Sequence, residues 1–326
     1  MTTIIIPKSN KISYDSTKLF HTIILLNTTG KLFEKIIGEQ LQFFAISNNF
    51  IHPCQLDSLK YRSTTDAGVV LTHFIWSCWI KNFYTSTVAF NIAQFFPSLN
   101  HHLLSLILNK AEFNQKILAF FSNYLVNRKT KYLWNNFSSP LYNVDVGVSQ
   151  ESALSPILSA LYLSPIFHIF EKYLKNLNIP ISILSFVNDR LFISQSKLLS
   201  ISNTNLFCSY NIISFLLIRF GLVIEHGKIE IFYFSRLHGT FNPSLLDLTS
   251  LGRPTLLLML IWKYQGFIFD WKLLFWAHID FYANKTISTI KYMKMLGNST
   301  RGLIPLQKRQ LYRCCVLSIT LYSFQL

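Results

Sequence analysis

Asn188-Asp189 lies between two apolar runs, Ile181 to Val187 and Leu191-Phe192-Ile193. Two such runs joined by a tight polar turn predict a β-hairpin. Its tip carries one carboxylate, that of Asp189, beside the amide of Asn188. A carboxylate held on a turn is a hard oxygen ligand of the kind a magnesium ion takes. Asn and Asp are also favoured in turns for backbone reasons alone, so an ordinary hairpin stands beside the metal-holding reading.

Two segments upstream add weight to the second reading. One is Ser86-Thr87-Val88-Ala89-Phe90-Asn91-Ile92-Ala93-Gln94-Phe95-Phe96-Pro97-Ser98-Leu99, and the other is Gly147-Val148-Ser149-Gln150-Glu151-Ser152-Ala153-Leu154-Ser155-Pro156-Ile157-Leu158. In this order, with the hairpin third, the three resemble motifs A, B and C of the reverse transcriptases of non-LTR (LINE-type) retrotransposons. That family writes them as Phe-Asp-Ile, Gln-Gly-Ser and Asp-Asp. This chain has Asn91 for the first acid, Glu151 for the glycine and Asn188 for the next acid.

The resemblance covers nearly the whole chain and implies an α+β right-hand polymerase fold with fingers, an antiparallel palm sheet and a partial thumb. It places fingers at 1–85, a palm with inserted finger helices at 86–270 and the partial thumb at 271–326. Local patterns are consistent with this division. Leu32, Ile36, Ile37, Leu41 and Phe44 recur at helical spacing and predict a helix over Lys31 to Asn48. Arg62-Ser63-Thr64-Thr65-Asp66 offers a Ser or Thr N-cap before Val69-Val70-Leu71. Leu103 to Leu125 would supply helices between motifs A and B. Phe220 to Lys228 resembles motif D, and Trp262 to Asp270 resembles the Tyr-Leu-Gly strand that closes the palm. Lys308-Arg309 and Arg313 fall on a helical pattern in the thumb. The resemblance leaves no room for an endonuclease, RNase H or zinc-knuckle segment, and the expectation is a core fragment of the element.

Nucleotidyl transfer in such a site needs two divalent ions about 4 Å apart. The resemblance assigns the catalytic positions to Asn91, Asn188 and Asp189, with Asp189 the one remaining metal carboxylate. Active relatives use Mg2+, which is expected not to bind productively here, because an amide oxygen adds no negative charge. By the same resemblance Phe96 lies under the nucleotide sugar, Gln150 belongs to the nucleotide-binding motif B, and Lys8, Lys11 and Arg62 contact phosphate. Each has a plainer reading, Phe96 as core and the lysines as solvated surface charge. Glu151 puts bulk and charge where the family has glycine, or else favours the dipole of a helix starting near Ser152. The family's Arg-Pro-Ile appears as His21-Thr22-Ile23. Asp to Asn, Gly to Glu and Arg to His each follow from one guanine-to-adenine change in a codon, the mark expected of a decaying copy.

With 30 Lys and Arg against 15 Asp and Glu, the formal charge is +15. This is the footprint of a polyanion binder, or of an AT-biased coding sequence rich in Lys, Asn, Ile and Phe. The resemblance favours an RNA template and DNA primer as partners. Cys54, Cys78, Cys208, Cys314 and Cys315 make an odd set without a Cys-x-x-Cys pair, which argues against a disulfide framework and a zinc knuckle and suits an intracellular compartment, nuclear or cytoplasmic. Ser152 to Phe170 is uncharged and nearly of spanning length. Its prolines and serines, and the asparagines of Leu198 to Ile218, point to buried elements and no membrane partner. The N-terminal apolar run is too short for a signal peptide. Three readings remain besides an inactive polymerase relative: a weakly active manganese-dependent polymerase, a non-catalytic nucleic-acid-binding module, and an unstable pseudogene product.

Overall fold

The computed structural model describes residues 2–8, 13–16, 19–57, 59–60, 62–236, 261–295 and 302–322. Along the chain the elements are β1 (Thr2–Pro7), β2 (Phe20–Leu25), α1 (Thr28–Ser47), α2 (Thr64–Ile80), β3 (Tyr84–Asn91), α3 (His101–Lys110), α4 (Gln115–Leu125), β4 (Lys129–Trp134), β5 (Phe137–Asn143), α5 (Ser155–Asn176), β6 (Ile181–Phe186), β7 (Asp189–Ser196), α6 (Leu199–Arg219), β8 (Glu230–Phe234), β9 (Ile261–Tyr264), β10 (Phe267–Asp270), α7 (Trp276–Met295) and α8 (Pro305–Leu311). Three sheets form, ordered β2-β1-β4-β5, β6-β7-β3-β8 and β9-β10. The chain clusters into two compact units, Met1–Arg62 with Ala89–Phe192 and Phe207–Ile229, and Ser63–Val88 with Ile193–Leu206 and Glu230–Leu326.

In the first unit, β1 is a run of β-branched residues that pairs antiparallel with β2 and parallel with β4, Thr2 opposite Lys131. β5 completes the sheet antiparallel to β4 and leaves six of its seven residues exposed, with Pro140 in its middle. α1 starts three residues before the expected Lys31, because the Asn27 side chain accepts from the Gly30 amide at 2.5 Å. A Cβ on Gly30 would lie 2.6 Å from that Asn27 oxygen, so a larger residue there would make the capping side chain shift.

α5 forms the centre of this unit. Every residue from Ile157 to Ser164 is buried, as are Ile166, Phe167 and Phe170, and a helix apolar on all sides belongs inside a core. The uncharged stretch beginning at Ser152 is therefore largely a core helix. α6 is long and apolar enough to cross a membrane by length and composition, with 44% of its most apolar window buried in the protein. Ser202, Asn203 and Ser209 of α6 are among the buried residues. Beneath the end of β3, Phe90 meets Phe192 at 5.1 Å and Tyr210 at 5.7 Å, and Phe192 stacks on Phe170 at 5.1 Å.

In the second unit α2 opens with a capping box in which the Ser63 amide donates to the Asp66 carboxylate (2.7 Å) and the Asp66 amide donates to Ser63 Oγ (3.3 Å). Gly68 lets α2 approach β10, since a Cβ there would stand 2.7 Å from the Phe267 ring. Trp262, 1% exposed, stacks on Phe232 and Tyr264 and donates its indole N–H to Glu230 at 2.9 Å. The expected single strand over Trp262 to Asp270 is a hairpin. Gln265 and Gly266 both take positive φ, 50° and 87°, which turns the chain back on itself.

Candidate active site

β3 ends at Asn91 because the next residues leave its ladder to bond two other segments of the first unit. The Ile92 amide donates to the Asn188 carbonyl at 3.2 Å, the Ala93 amide to the Val223 carbonyl at 2.8 Å, and the Asn91 carbonyl accepts from the Glu225 amide at 2.7 Å. Asn91 thus sits against the hairpin turn, which is Val187-Asn188 and not the expected Asn188-Asp189, since Asp189 is the first residue of β7. The side chains of Asn91, Asn188 and Asp189 are all half-buried. The Glu225 carboxylate pairs with Lys228 at 2.9 Å.

The turn is held in an uncommon shape. Val187 has φ +52°, a left-handed conformation that a β-branched residue rarely takes and that stores on the order of 1–3 kcal/mol. Arg190 follows Asp189 and is 1% exposed. Its Nη1 donates to the Val187 carbonyl at 2.6 Å and the Asp189 carbonyl at 2.9 Å. The guanidinium lies over the rings of Phe95 and Phe167 at 5.5 and 5.7 Å. A fixed cation therefore braces the turn from within.

Motif B is a loop leading into α5. Gly147, at φ +84°, has no room for a side chain, since a Cβ would lie 2.5 Å from the Pro97 carbonyl oxygen. Its amide donates to Leu99 and the Val148 amide to Phe96, at 2.8 and 2.9 Å, so the loop is strapped to the 3-10 turn Phe96–Ser98. The Gly147 carbonyl accepts from His101 Nε2 (2.7 Å) and Arg128 Nη1 (3.2 Å). α5 begins at Ser155, not near Ser152, with Pro156 in its first turn and the Ser155 hydroxyl bonded to the Ser149 carbonyl. Glu151 accordingly precedes the helix. It is exposed and accepts from the Ile24 amide of β2 at 3.2 Å.

The remaining sequence-derived positions are dispersed. Phe96 is half-buried against Phe95 at 5.4 Å, and Gln150 is exposed. Lys8 follows β1, its amide bonded to Leu19 and its carbonyl to the Tyr14 hydroxyl. Arg62 is exposed, with Nη1 donating to the Gln55 carbonyl. Lys11 lies outside the described residues. A cavity of about 180 Å³ separates motif B from the first sheet, lined by Thr3, Thr22, Ile24, Arg128, Thr130, Gly147 and Ser149 among others.

A polar network under motif B is not visible in any motif. Glu34 of α1, 4% exposed, accepts from the Tyr124 hydroxyl at 2.7 Å and from the Ser152 hydroxyl at 2.8 Å. Arg128 lies over the Tyr124 ring at 5.2 Å. Burial pushes the Tyr124 hydroxyl up to about 12, so it remains a donor. The only sequence signal for this network is a Glu at a position where the spacing of α1 expects an inward-facing residue.

The donor set at the Asn91 corner is two amides and one carboxylate. Among the described residues no group of three His, Cys, Asp or Glu side chains is placed to hold a metal ion. Two dications need several carboxylate oxygens, and these residues do not fit such a pair.

Comparison with known proteins bears on the fold. The chain is similar to telomerase from Candida albicans in complex with a TWJ fragment of telomeric RNA, at 13% identity over 99% of this chain and 53% of that one, with a TM-score of 0.54. It is also similar to telomerase from Candida tropicalis with the same kind of RNA fragment, at 15% identity over 91% and 46% of the two chains and a TM-score of 0.54. The apo form of the Candida tropicalis enzyme gives 16% identity, 89% and 49% coverage and a TM-score of 0.52. The chain spans about half the length of these structures. No curated protein sequence matches it. The mixed helix and sheet architecture is that of a reverse transcriptase. The family described as reverse transcriptase (RNA-dependent DNA polymerase) matches residues 6–293, and the chain belongs to that family.

Proposed function

We propose that this chain is the reverse transcriptase domain of a LINE-type retrotransposon remnant that engages an RNA template and DNA primer without extending the primer. The observation that carries this is the meeting of Asn91 with the Asn188 turn, where family members have two acids. Two dications about 4 Å apart repel by roughly 16 kcal/mol at an effective dielectric of 20. One carboxylate, with the buried Arg190 cation next to it in sequence, does not offset that. Binding needs no such metal pair. An excess of 15 positive charges supports backbone recognition of a nucleic-acid duplex with strong salt dependence. In this reading fingers, palm and thumb keep the boundaries 1–85, 86–270 and 271–326, and the protein works inside the cell, in nucleus or cytoplasm.

Primer extension on an RNA template, run separately with Mg2+ and Mn2+, tests the inactive site. The unaltered chain is expected to add no nucleotide, while Asn91→Asp, Asn188→Asp and Glu151→Gly together restore incorporation. Incorporation by the unaltered chain with either metal overturns the proposal. Retention on a primer-template that falls steeply with salt supports the binding half. The retrotransposon origin is tested by aligning the gene with sibling copies, where guanine-to-adenine changes should dominate and a mixed spectrum would count against decay.

A further inference from the structure

The first unit holds a larger concavity, none of whose lining residues belongs to the Asn91 corner. It measures about 430 Å³ and is walled by α3, α5 and the residues following α1 and α6. Leu106 and Ile107 of α3, Leu161 and Pro165 of α5, Phe50 and Phe220 form its apolar surface. Among the described residues only three polar side chains reach it, Asn49, Lys110 and His168, and no acidic one does. Lys110 enters none of the ion pairs among the described residues, and it is exposed at the end of α3, with its chain alongside the cavity. The His168 ring is fixed edge-on against His52 at 4.6 Å.

Apolar walls with a few polar groups at one edge are the composition of a small-molecule site, and the volume falls within the usual range for one. The polar groups decide the ligand class, because the one permanent charge at the edge is positive. We infer that this cavity binds a small amphiphile with a fused-ring or branched apolar body and a single carboxylate, the carboxylate paired with Lys110. The inference does not rest on the polymerase reading, since it uses none of the same residues.

Isothermal titration of the full chain with 1-naphthoate, and with the neutral 1-naphthalenemethanol, tests it. Naphthoate should bind saturably, one per chain, and the alcohol roughly tenfold more weakly or worse. Lys110→Met should bring naphthoate down to the level of the alcohol. Leu106→Trp, which fills the cavity from a half-exposed position, should abolish binding of both, with circular dichroism confirming that the variants keep their helices. Equal affinity for acid and alcohol, naphthoate binding unchanged by Lys110→Met or Leu106→Trp, or no saturation up to about 1 mM would overturn the inference.

Discussion

Two polar regions of the first unit are built differently. At the Asn91 corner the backbone is bonded residue by residue, while the side chains that face the site offer mostly amides. Under motif B the buried carboxylate of Glu34 keeps both hydroxyl partners. The difference follows from what each charge does for folding. A carboxylate waiting for a metal adds nothing to the stability of the empty protein, whereas removing a partner from a buried carboxylate exposes the full desolvation penalty. Substitution to an amide is free in the first place and expensive in the second.

The sharpest way to break this comparison is to strip the network. Tyr124→Phe with Ser152→Ala leaves Glu34 buried without its hydroxyl donors and should lower stability by roughly 3 kcal/mol or more, read from urea unfolding. A loss below about 1 kcal/mol would mean that the Glu34 network contributes little to folding. Gly147→Ala comes next. Its positive φ and the Pro97 backbone 2.5 Å from the new Cβ should cost about 2–3 kcal/mol, and a neutral result would show that the strap between motif B and the Phe96–Ser98 turn is soft.

Placing acids at the Asn91 corner sharpens the other side. Asn91→Asp with Asn188→Asp places new carboxylates beside Asp189, and the metal-free protein should lose about 1–2 kcal/mol by like-charge repulsion. Millimolar Mg2+ should then raise the melting temperature of the variant and leave that of the parent unchanged. A parent that responds equally to Mg2+ would show that the amides already hold the ion.

The smallest effect is a pH dependence. Burial holds His52 below its ordinary value of 6.5, and His168 pulls the same way, while Glu171 at 3.6 Å opposes both. Below 6.5 the unfolded chain therefore binds a proton that the folded chain refuses. Stability should fall as pH drops from 6.5 toward the lowered folded value and be insensitive to His52 above 6.5. Unfolding midpoints of the parent and His52→Gln at about pH 7.5 and 5.5 isolate this contribution, and the parent should show the steeper loss.

Much of this was legible in the sequence, and the reasons differ from element to element. The hairpin around Asn188 is local, so two apolar runs and a polar turn revealed it, although the turn itself is Val187-Asn188, one residue earlier than expected, and Asp189 already opens β7. The N-cap at Ser63 is equally local. The meeting of Asn91 with Asn188 was carried by the order of the three motifs, since nothing in the periodicity of either strand records the other. The start of α1 was missed because Asn27-Thr28-Thr29-Gly30 has no apolar period, only a capping side chain. The β9–β10 turn needs positive φ at Gln265, a residue that does not advertise it. The parallel pairing of Thr2 with Lys131 and the Glu34 network join segments about a hundred residues apart, and such contacts leave no trace in composition or spacing. Nothing in the sequence marks Arg190 as a brace, a role that rests on its burial and its bonds to the turn carbonyls.

β5 is the terminal strand of its sheet, and six of its seven residues are open to solvent. A bare strand edge invites another chain to add to it, and the hazard rises with concentration during expression. Pro140, in the middle of β5, leaves the strand with one amide hydrogen fewer for any ladder. A strand with a proline at its centre is a poorer template for a further strand than an uninterrupted run of the same length.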